Sequence, residues 1–285
     1  MLHGTPTVKE AKGFKKILTL FSQASGMDFN FEKSMIFFFN THLAVQRHLT
    51  AILGFKRSYL PSNYLGIPLM DKPWHKSHWE NLTTKLAEKC NHWTNRVLNL
   101  AGRMVMTKAV LQAIPHYMLS ILQAPQGILQ KIRTIQRNFL WSGNSGKKKW
   151  ALAAWDKLCR PKTFGGIGLQ DPGTTNKANG AKLWWRWLTE PHTPWEKLWK
   201  AKYAVHWQHE ELIRITEVRM GSPIWNLARA NRHIIQNHFF WEIRNGQSAL
   251  FWEDTWQQLP ILESPNFHPL QRWYQEKGKI KVHHY

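Results

Sequence analysis

The run Asn63-Tyr64-Leu65-Gly66-Ile67-Pro68-Leu69 is short, mostly apolar and bounded by turn-forming residues. Such a run predicts a buried β-strand. The stretch that follows it, Trp79–Gln123, has apolar residues at helical spacing and carries Lys and Arg on its polar side. A small strand that leads into a long basic helical arm is therefore the arrangement around which we interpret the rest of the chain.

The residues before this strand predict helices packed on a small sheet. Apolar residues recur at helical spacing over 7–25 and over 42–53, and a glycine follows each run. Between them, the apolar runs Met27–Phe31 and Met35–Phe39 predict a hairpin or two strands of one sheet. The first 70 or so residues therefore predict an α+β unit.

The residues after the strand predict a mostly helical chain. The run 75–123 is helical in pattern almost throughout, and we expect Gly102 and Pro115 to bend or divide it. The elements predicted beyond it are helices over 126–140, 176–190, 195–203 and part of 222–238, and short strands at 167–169, 239–243 and 248–252. The predicted fold class is α+β, mostly α-helical, with a small sheet at the N-terminus, a helical arm and a Trp-rich region.

The charge of the chain is strongly one-sided. Lys and Arg total 39 against 18 Asp and Glu, which gives a formal net charge of +21. Such an excess favours a polyanionic partner, either nucleic acid or an anionic membrane surface. The alternative is a solvated surface that only keeps the protein soluble. We favour nucleic acid.

The content of tryptophan, cysteine and long apolar runs indicates what kind of protein this is and where it is located. The chain has 17 Trp; we expect most in the core and some as platforms on which bases stack. Cys90 and Cys159 form no CxxC pattern, so a reducing compartment fits better than a disulfide framework. No apolar run is long enough to span a bilayer, and residues 1–10 lack a secretory signal. We expect a soluble intracellular protein of the nucleus or cytoplasm, with no membrane partner.

A series of short blocks occurs along about residues 10 to 260. They are Ser25-Gly26-Met27…Asn30…Lys33-Ser34, Asn63–Leu69, Ala101-Gly102-Arg103, Ala113–Met118, Asn138–Gly143, Ala154–Lys162, Gly165–Gly168, and Asn245–Ser248 leading to Phe251–Trp256. In order and content these blocks resemble the C-terminal part of the reverse transcriptase of plant non-LTR (LINE-type) retrotransposons.

The resemblance implies a fragment of a polymerase. In that family, palm aspartates hold two Mg²⁺ ions, and one of them lies in a Tyr-Ala-Asp-Asp turn. Neither that turn nor the upstream aspartate block is present in this sequence. The chain would thus need no cofactor of its own, because Mg²⁺ belongs to the missing palm motifs. The resemblance implies three regions: 1–72 as a palm remnant, 73–149 as a helical thumb-like region, and 150–285 as a Trp-rich connector.

The resemblance also assigns roles to residues of the palm remnant. Lys33 would lie in the motif after the Asp-Asp turn. Tyr64, Leu65 and Gly66 would form the primer grip, which holds the end of the primer. The alternative for Tyr64 is a strand tyrosine that packs within the sheet. One departure from the family is Asn179-Gly180, where the family carries apolar residues. A helical Gly costs about 1 kcal/mol relative to Ala, and we interpret this pair as drift.

Catalytic patterns are weak. Two-metal phosphoryl transfer needs carboxylates that share ions roughly 4 Å apart, but Glu210-Glu211 point to different sides and Glu253-Asp254 lie in an aromatic block. The pairs His75/His78 and His206/His209 have i, i+3 spacing without nearby Cys or a Glu-x-x-His context. The sequence therefore does not favour catalysis by this chain alone.

The basic residues of the arm are the candidates for phosphate contacts. They are Arg96, Arg103, Lys108, Arg133, Arg137, Lys147, Lys148 and Lys149. Contacts of this kind give binding that is independent of sequence and sensitive to salt, as a thumb that slides along any duplex requires. The alternative is a solvated helix face.

Three functions remain open. The first is a reverse transcriptase fragment that binds template–primer RNA, DNA or hybrid without catalysis; it predicts exposed apolar surface on the palm remnant. The second is an adopted nucleic-acid-binding or assembly protein that acts in trans on RNA or on an intact retroelement protein; it predicts a closed surface. The third is a hydrolase with an unrecognised metal site, which predicts bound metal. We favour the first.

Overall fold

The computed structural model describes residues 2–64, 67–70, 74, 76–94, 98–142, 150–207, 209–215, 219–247, 249–251 and 254–255. The chain divides into an N-terminal unit, Met1–Trp74, and a C-terminal unit, His75–Tyr285. The predicted fold class is confirmed, because the described secondary structure is mostly helical and its strands are short. The division into 1–72, 73–149 and 150–285 stays a prediction.

The N-terminal unit contains two helices that pack against each other, α1 (Val8–Ser25) and α2 (Leu43–Leu53). The Thr7 side chain caps α1 by accepting a hydrogen bond from the N–H of Glu10. The glycine after each helix has a left-handed φ, 68° and 78° respectively, which ends the helix. Both predicted helices are confirmed.

The predicted hairpin between the two apolar runs is wrong. Strand β1 (Met35–Ile36) pairs in parallel with β2 (Lys56–Arg57), and α2 provides the crossover that a parallel pair needs. The first apolar run forms no strand. Next to it, the Asn30 side chain accepts hydrogen bonds from the backbone N–H groups of Glu32 and Lys33. These bonds stabilise a turn in place of a ladder.

The run 63–69 is also not the single buried strand that its pattern predicts. Strands β3 (Ser62–Tyr64) and β4 (Ile67–Leu69) pair antiparallel, and β4 is only half-buried. The residues between them, Leu65 and Gly66, lie outside the described residues. The pair Leu-Gly is not one of the dipeptides that mark a two-residue hairpin, such as Asn-Gly or Asp-Gly, so the sequence pattern did not separate the two strands.

The helical arm is divided at different points from those predicted. The Asn99 side chain accepts a hydrogen bond from the N–H of Gly102, which places Gly102 in the first turn of a helix. The predicted bend or division therefore does not lie at Gly102, because this helix begins two residues before it. The elements are a 3₁₀ turn (Lys76–Trp79), α3 (Glu80–Thr94), α4 (Leu100–Met106), a π-helical segment (Thr107–Leu111), α5 (Ala113–Ile121) and α6 (Gln126–Ser142).

The predicted irregularity at Pro115 takes the form of this π-helical segment. The N–H of Gln112 donates to the carbonyl five residues back, at 3.1 Å. Because proline has no N–H, the carbonyl of Leu111 lacks its usual helical donor. The Nε2 of the fully buried Gln136, on α6, donates to that carbonyl at 2.9 Å. A side chain thus replaces the missing backbone bond.

One buried asparagine joins α8 (Pro172–Thr189) to the end of α5. The Nδ2 of Asn176 donates to the carbonyls of Leu119 and Leu122 at 2.7 and 2.8 Å. Its Oδ1 accepts from the N–H of Ala124 at 3.1 Å. Both the nitrogen and the oxygen of this side-chain amide are therefore hydrogen-bonded to the backbone. Asn176 thus fixes the position at which the chain leaves α5.

The Trp-rich region forms a core of its own. Trp184 and Trp187 on α8, Trp199 on α9 (Pro194–Tyr203) and Trp225 on α10 (Pro223–Ala230) cluster together, and three of these four are fully buried. Trp225 has ring contacts with the other three, with centroids 4.9 to 5.7 Å apart. These rings supply most of the buried apolar volume here.

Gly180 has a packing reason, which corrects its interpretation as drift. A Cβ at this position would lie 2.5 Å from Nδ2 of Asn231 and 2.6 Å from the carbonyl oxygen of Leu227. Both atoms belong to the neighbourhood of α10, which packs on α8. Only glycine permits this approach. A short helix, α11 (Arg232–Gln236), follows α10, so the predicted helix within 222–238 is two helices.

Two predicted strands are wrong. Residues 167–169 are irregular, and the N–H groups of Ile167 and Leu169 both donate to the carbonyl of Leu158 in α7 (Trp155–Leu158). Residues 239–243 form no strand either, although the turn at Gly246, with φ 66°, is present. Of the predicted strand 248–252, residues 249–251 are described and form a bridge and a turn. In these segments, hydrogen bonds to side chains and isolated backbone hydrogen bonds take the place of the predicted β-ladders.

Candidate nucleic-acid interface

In the N-terminal unit, two predicted site residues are described. Lys33 is exposed in the turn set by Asn30, and its N–H donates to Asn30 Oδ1 at 3.0 Å. Tyr64 ends β3, where it pairs with Ile67. The other two residues of the predicted primer grip, Leu65 and Gly66, lie outside the described residues. The roles of all four stay predictions.

In the C-terminal unit, several of the predicted cations lie on helical elements that pack against one another. The π-helical segment and α4 pack against α6. Arg133 and Arg137 are one turn apart on α6 and therefore share a face, and Arg137 and Lys108 are exposed. Arg103 is half-buried, and among the described residues its Nε has no hydrogen-bond partner. The remaining predicted contacts, Arg96, Lys147, Lys148 and Lys149, lie outside the described residues.

Asp171 positions Arg133. Its Oδ1 accepts hydrogen bonds from Nε of Arg133 at 2.7 Å and from Nε1 of Trp155 at 3.2 Å. Its Oδ2 accepts from the N–H groups of Gly173 and Thr174, which makes Asp171 the N-cap of α8. One carboxylate thus joins α6, α7 and α8 at a single point. The Arg133 side chain remains 42% exposed, so Asp171 fixes its orientation while part of the side chain faces solvent.

These hydrogen bonds also set the ionisation of the pair. Burial alone would raise the pKa of Asp171, but the bonds from Arg133 and from the Thr174 N–H outweigh burial and lower that pKa below its usual value. The hydrogen bond to Asp171 raises the pKa of Arg133, although partial desolvation opposes it. Both groups are therefore charged at neutral pH.

The segment 155–171 adds basic residues that the sequence analysis did not select. Lys108 Nζ lies 3.6 Å from where a Cβ on Gly168 would be, and the N–H of Gly168 donates to the carbonyl of Arg160 at 3.1 Å. Arg160 is exposed, and so are its neighbours Lys157 and Lys162. Three cations within 157–162 were a signal available in the sequence.

We call the set Lys108, Arg133, Arg137 and Arg160 the arm surface. Of the carboxylates on the adjoining segment 155–171, Asp171 is paired with Arg133 and Asp156 is exposed. Positive charge thus exceeds negative charge on this part of the protein. Such a surface attracts phosphates without reading a base sequence.

A shallow cavity of about 390 Å³ adjoins this surface, with His116, Cys159, Asp171 and Asn179 in its lining. Burial raises the pKa of the Cys159 thiol to about 11, with Asp171 adding to the rise and Arg133 opposing it. Burial likewise raises the pKa of Cys90 to about 12. Both thiols are protonated at neutral pH, so neither is an activated nucleophile.

Metal ligands and membrane segments were also sought among the described residues. These residues contain no group of three or more His, Cys, Asp or Glu side chains placed to hold a metal ion. In the same part of the chain, none of the helices is long and apolar enough to cross a lipid bilayer.

Comparison with known proteins places this chain near two proteins of Arabidopsis thaliana. It is 30% identical over 201 residues to a protein named "Putative ribonuclease H protein"; the match covers 70% of this chain and 32% of that protein. It is 28% identical over 145 residues to an "Uncharacterized mitochondrial protein", covering 50% of this chain and 92% of that protein. The chain thus spans about a third of the length of the first relative. No family model matches the chain.

Proposed function

We propose that this chain binds template–primer nucleic acid through the arm surface, as part of a plant retrotransposon protein related to LINE-type reverse transcriptases. The observation that carries the proposal is that Lys108, Arg133, Arg137 and Arg160 lie on segments that contact one another, with Arg133 held in place by Asp171. A thumb needs fixed cations that tolerate any duplex sequence, and this arrangement supplies them.

Similarity to a plant protein named for ribonuclease H supports an association with nucleic acid. The blocks shared with LINE-type reverse transcriptases support the more specific assignment. Mg²⁺ would be held by palm motifs that this sequence lacks, and we derive no catalytic step from the residues present. The proposed activity of this chain is binding.

Exposed apolar side chains in the N-terminal unit favour the interpretation that this chain is part of a larger assembly. They argue against the alternative of a binding protein with a closed surface of its own. Ile17, Leu20 and Phe21 form one face of α1, and each is at least half exposed. A contiguous exposed apolar face of this kind is typical of a surface that another protein segment covers. We propose that the missing part of a palm covers it.

A salt series of binding to an RNA–DNA hybrid duplex tests the proposal. The variant K108A/R137A/R160A removes three exposed cations and leaves the Arg133–Asp171 pair intact. We expect it to bind more weakly and to lower the magnitude of the slope of log K against log salt by about two to three. The matched control is K12A/K15A/K16A, which removes three exposed lysines of α1.

The result that contradicts the proposal is an equal slope in the arm variant and in wild type. An equal reduction in the α1 control would show that binding responds to net charge and not to the arm surface. A folded wild type that does not bind the hybrid at all would also exclude the proposed function.

A further inference from the structure

Helix α8 has two contrasting faces. Its buried face carries Ala181, Trp184 and Trp187, and the two tryptophans belong to the tryptophan core. Its opposite face is a solvent-exposed stripe at helical spacing, formed by Ala178, Lys182, Trp185 and Thr189. Core packing explains the tryptophans of the first face. It does not explain Trp185, which is 41% exposed.

Trp185 belongs to an exposed aromatic group. Its ring lies against Phe239, with centroids 6.0 Å apart and planes at 55°. Phe240, next in the chain, is 69% exposed. Because the rings of Trp185 and Phe239 are tilted and not stacked, neither covers the whole face of the other. We call Trp185, Phe239 and Phe240 the aromatic surface.

Cations adjoin the aromatic surface. Lys182 lies one helical turn from Trp185 on the same stripe, and it is exposed, as is Arg244 on the chain segment that carries the two phenylalanines. The acidic residues on these two segments are Glu190, which accepts two hydrogen bonds from Arg186, and Glu242, which is exposed. The net charge of the residues on these two segments is therefore positive.

We propose that the aromatic surface binds an unpaired stretch of RNA or DNA, with a base stacked on Trp185 and a neighbouring phosphate close to Lys182. Aromatic faces next to cations are the combination that single-stranded nucleic acid requires, because its bases offer free faces and its backbone is anionic. A duplex hides those faces within its own stack. A protein partner is less well matched, because the centres of protein interfaces are depleted of lysine.

This inference goes beyond the duplex binding proposed above. It concerns other helices, other residues and another form of nucleic acid. The two proposals together describe a chain that holds a duplex on the arm surface and an unpaired strand on the aromatic surface.

The test measures the affinity of the whole chain for a labelled oligo(dT) and for an abasic oligomer of equal length, using fluorescence anisotropy. We expect W185A to bind oligo(dT) about 5- to 100-fold more weakly than wild type and to lose the preference for oligo(dT) over the abasic oligomer. The salt slope should stay unchanged in W185A and fall by about 0.7 in K182A. W185F should restore most of the affinity.

The control is W207A, which removes a tryptophan of similar exposure, 37%, from outside the aromatic surface. Oligo(dT) affinity in W185A equal to that in W207A, or equal binding of the abasic oligomer by wild type, would overturn the inference. The variant K108A/R137A/R160A should keep the preference for bases, so failure of the duplex proposal and failure of this one give different results.

Discussion

The two units of this chain differ in what holds them together. In the described part of the N-terminal unit, the buried apolar side chains are Ala11 and Leu49. The C-terminal unit buries a cluster of large rings, together with leucines and isoleucines from the helical arm. Because burial of apolar area is the main favourable contribution to folding, the C-terminal unit has a core of its own. The described part of the N-terminal unit buries much less apolar surface.

The largest expected effect comes from Trp225, at the centre of the tryptophan core. We expect W225A to lower the free energy of unfolding of the C-terminal unit by about 3–5 kcal/mol, because it leaves a cavity among rings that cannot close it. Urea unfolding followed by near-UV circular dichroism measures this. The matching truncation in the N-terminal unit, L49A, should leave that main transition unchanged. A comparable shift in both variants would break the contrast between the units.

The next effect is expected at Asn176. N176A leaves two carbonyls and one N–H unpaired in a buried turn, and each unpaired buried group costs about 1–3 kcal/mol. Partial relaxation should limit the total to about 3 kcal/mol, below the effect of W225A. The same urea experiment measures it. N138A, at an exposed asparagine of α6, is the control and should change stability by less than about 0.5 kcal/mol.

A smaller, pH-dependent effect is expected at Asp171. Its folded-state pKa is lowered, so the stability that it contributes is present above the ordinary Asp pKa of about 3.9. That contribution is lost as the pH falls through the lower, folded-state pKa. D171N keeps a good N-cap residue but removes the charge, so its stability should vary less with pH in the acid range than that of wild type.

Thermal unfolding of both proteins between neutral and acid pH measures this difference. D171A, which also loses the cap, should be less stable than D171N by about 1 kcal/mol at every pH. Parallel pH profiles for wild type and D171N would show that the Arg133 pair contributes nothing to acid stability.

The smallest effect on stability is expected on the exposed face of α1. I17Q/L20Q replaces two side chains that are 58% and 54% exposed, so the free energy of unfolding should change by less than about 0.5 kcal/mol. Solubility of the isolated chain should rise, because the apolar face is broken. L198Q, at a 63% exposed leucine of α9, is the control. A marked loss of stability in I17Q/L20Q would mean that this face is part of a core.

Periodic helices were predictable from the sequence, and short strands were not. The runs 7–25, 42–53 and 126–140 carry their apolar stripes over three or more turns and end at clear signals, so α1, α2 and α6 agree with the prediction. Where predicted strands are absent, single hydrogen bonds take their place: backbone N–H groups donate to the side chain of Asn30 or to the backbone carbonyl of Leu158. A pattern of two to five apolar residues does not encode such bonds.

The candidate site was predictable in part. The sequence selected Lys108, Arg133 and Arg137, but it could not show that Asp171, 38 residues from Arg133, holds that arginine. The cations within 157–162 were visible in the sequence, but the approach of the segment 155–171 to Lys108 was not, because it depends on tertiary packing at Gly168. Gly180 was misread for the same reason, since its partner atoms come from another helix.

The π-helical segment affects where the helical arm can tolerate the deletion of a residue. Its wide turn contains one residue more than an α-turn does. Deleting a residue inside an ordinary helix rotates everything after it by about 100°, but deleting one between Thr107 and Leu111 would convert the wide turn into an α-turn. The flanking helices α4 and α5 could then keep their faces, which makes this segment the place in the arm where a one-residue deletion is best tolerated.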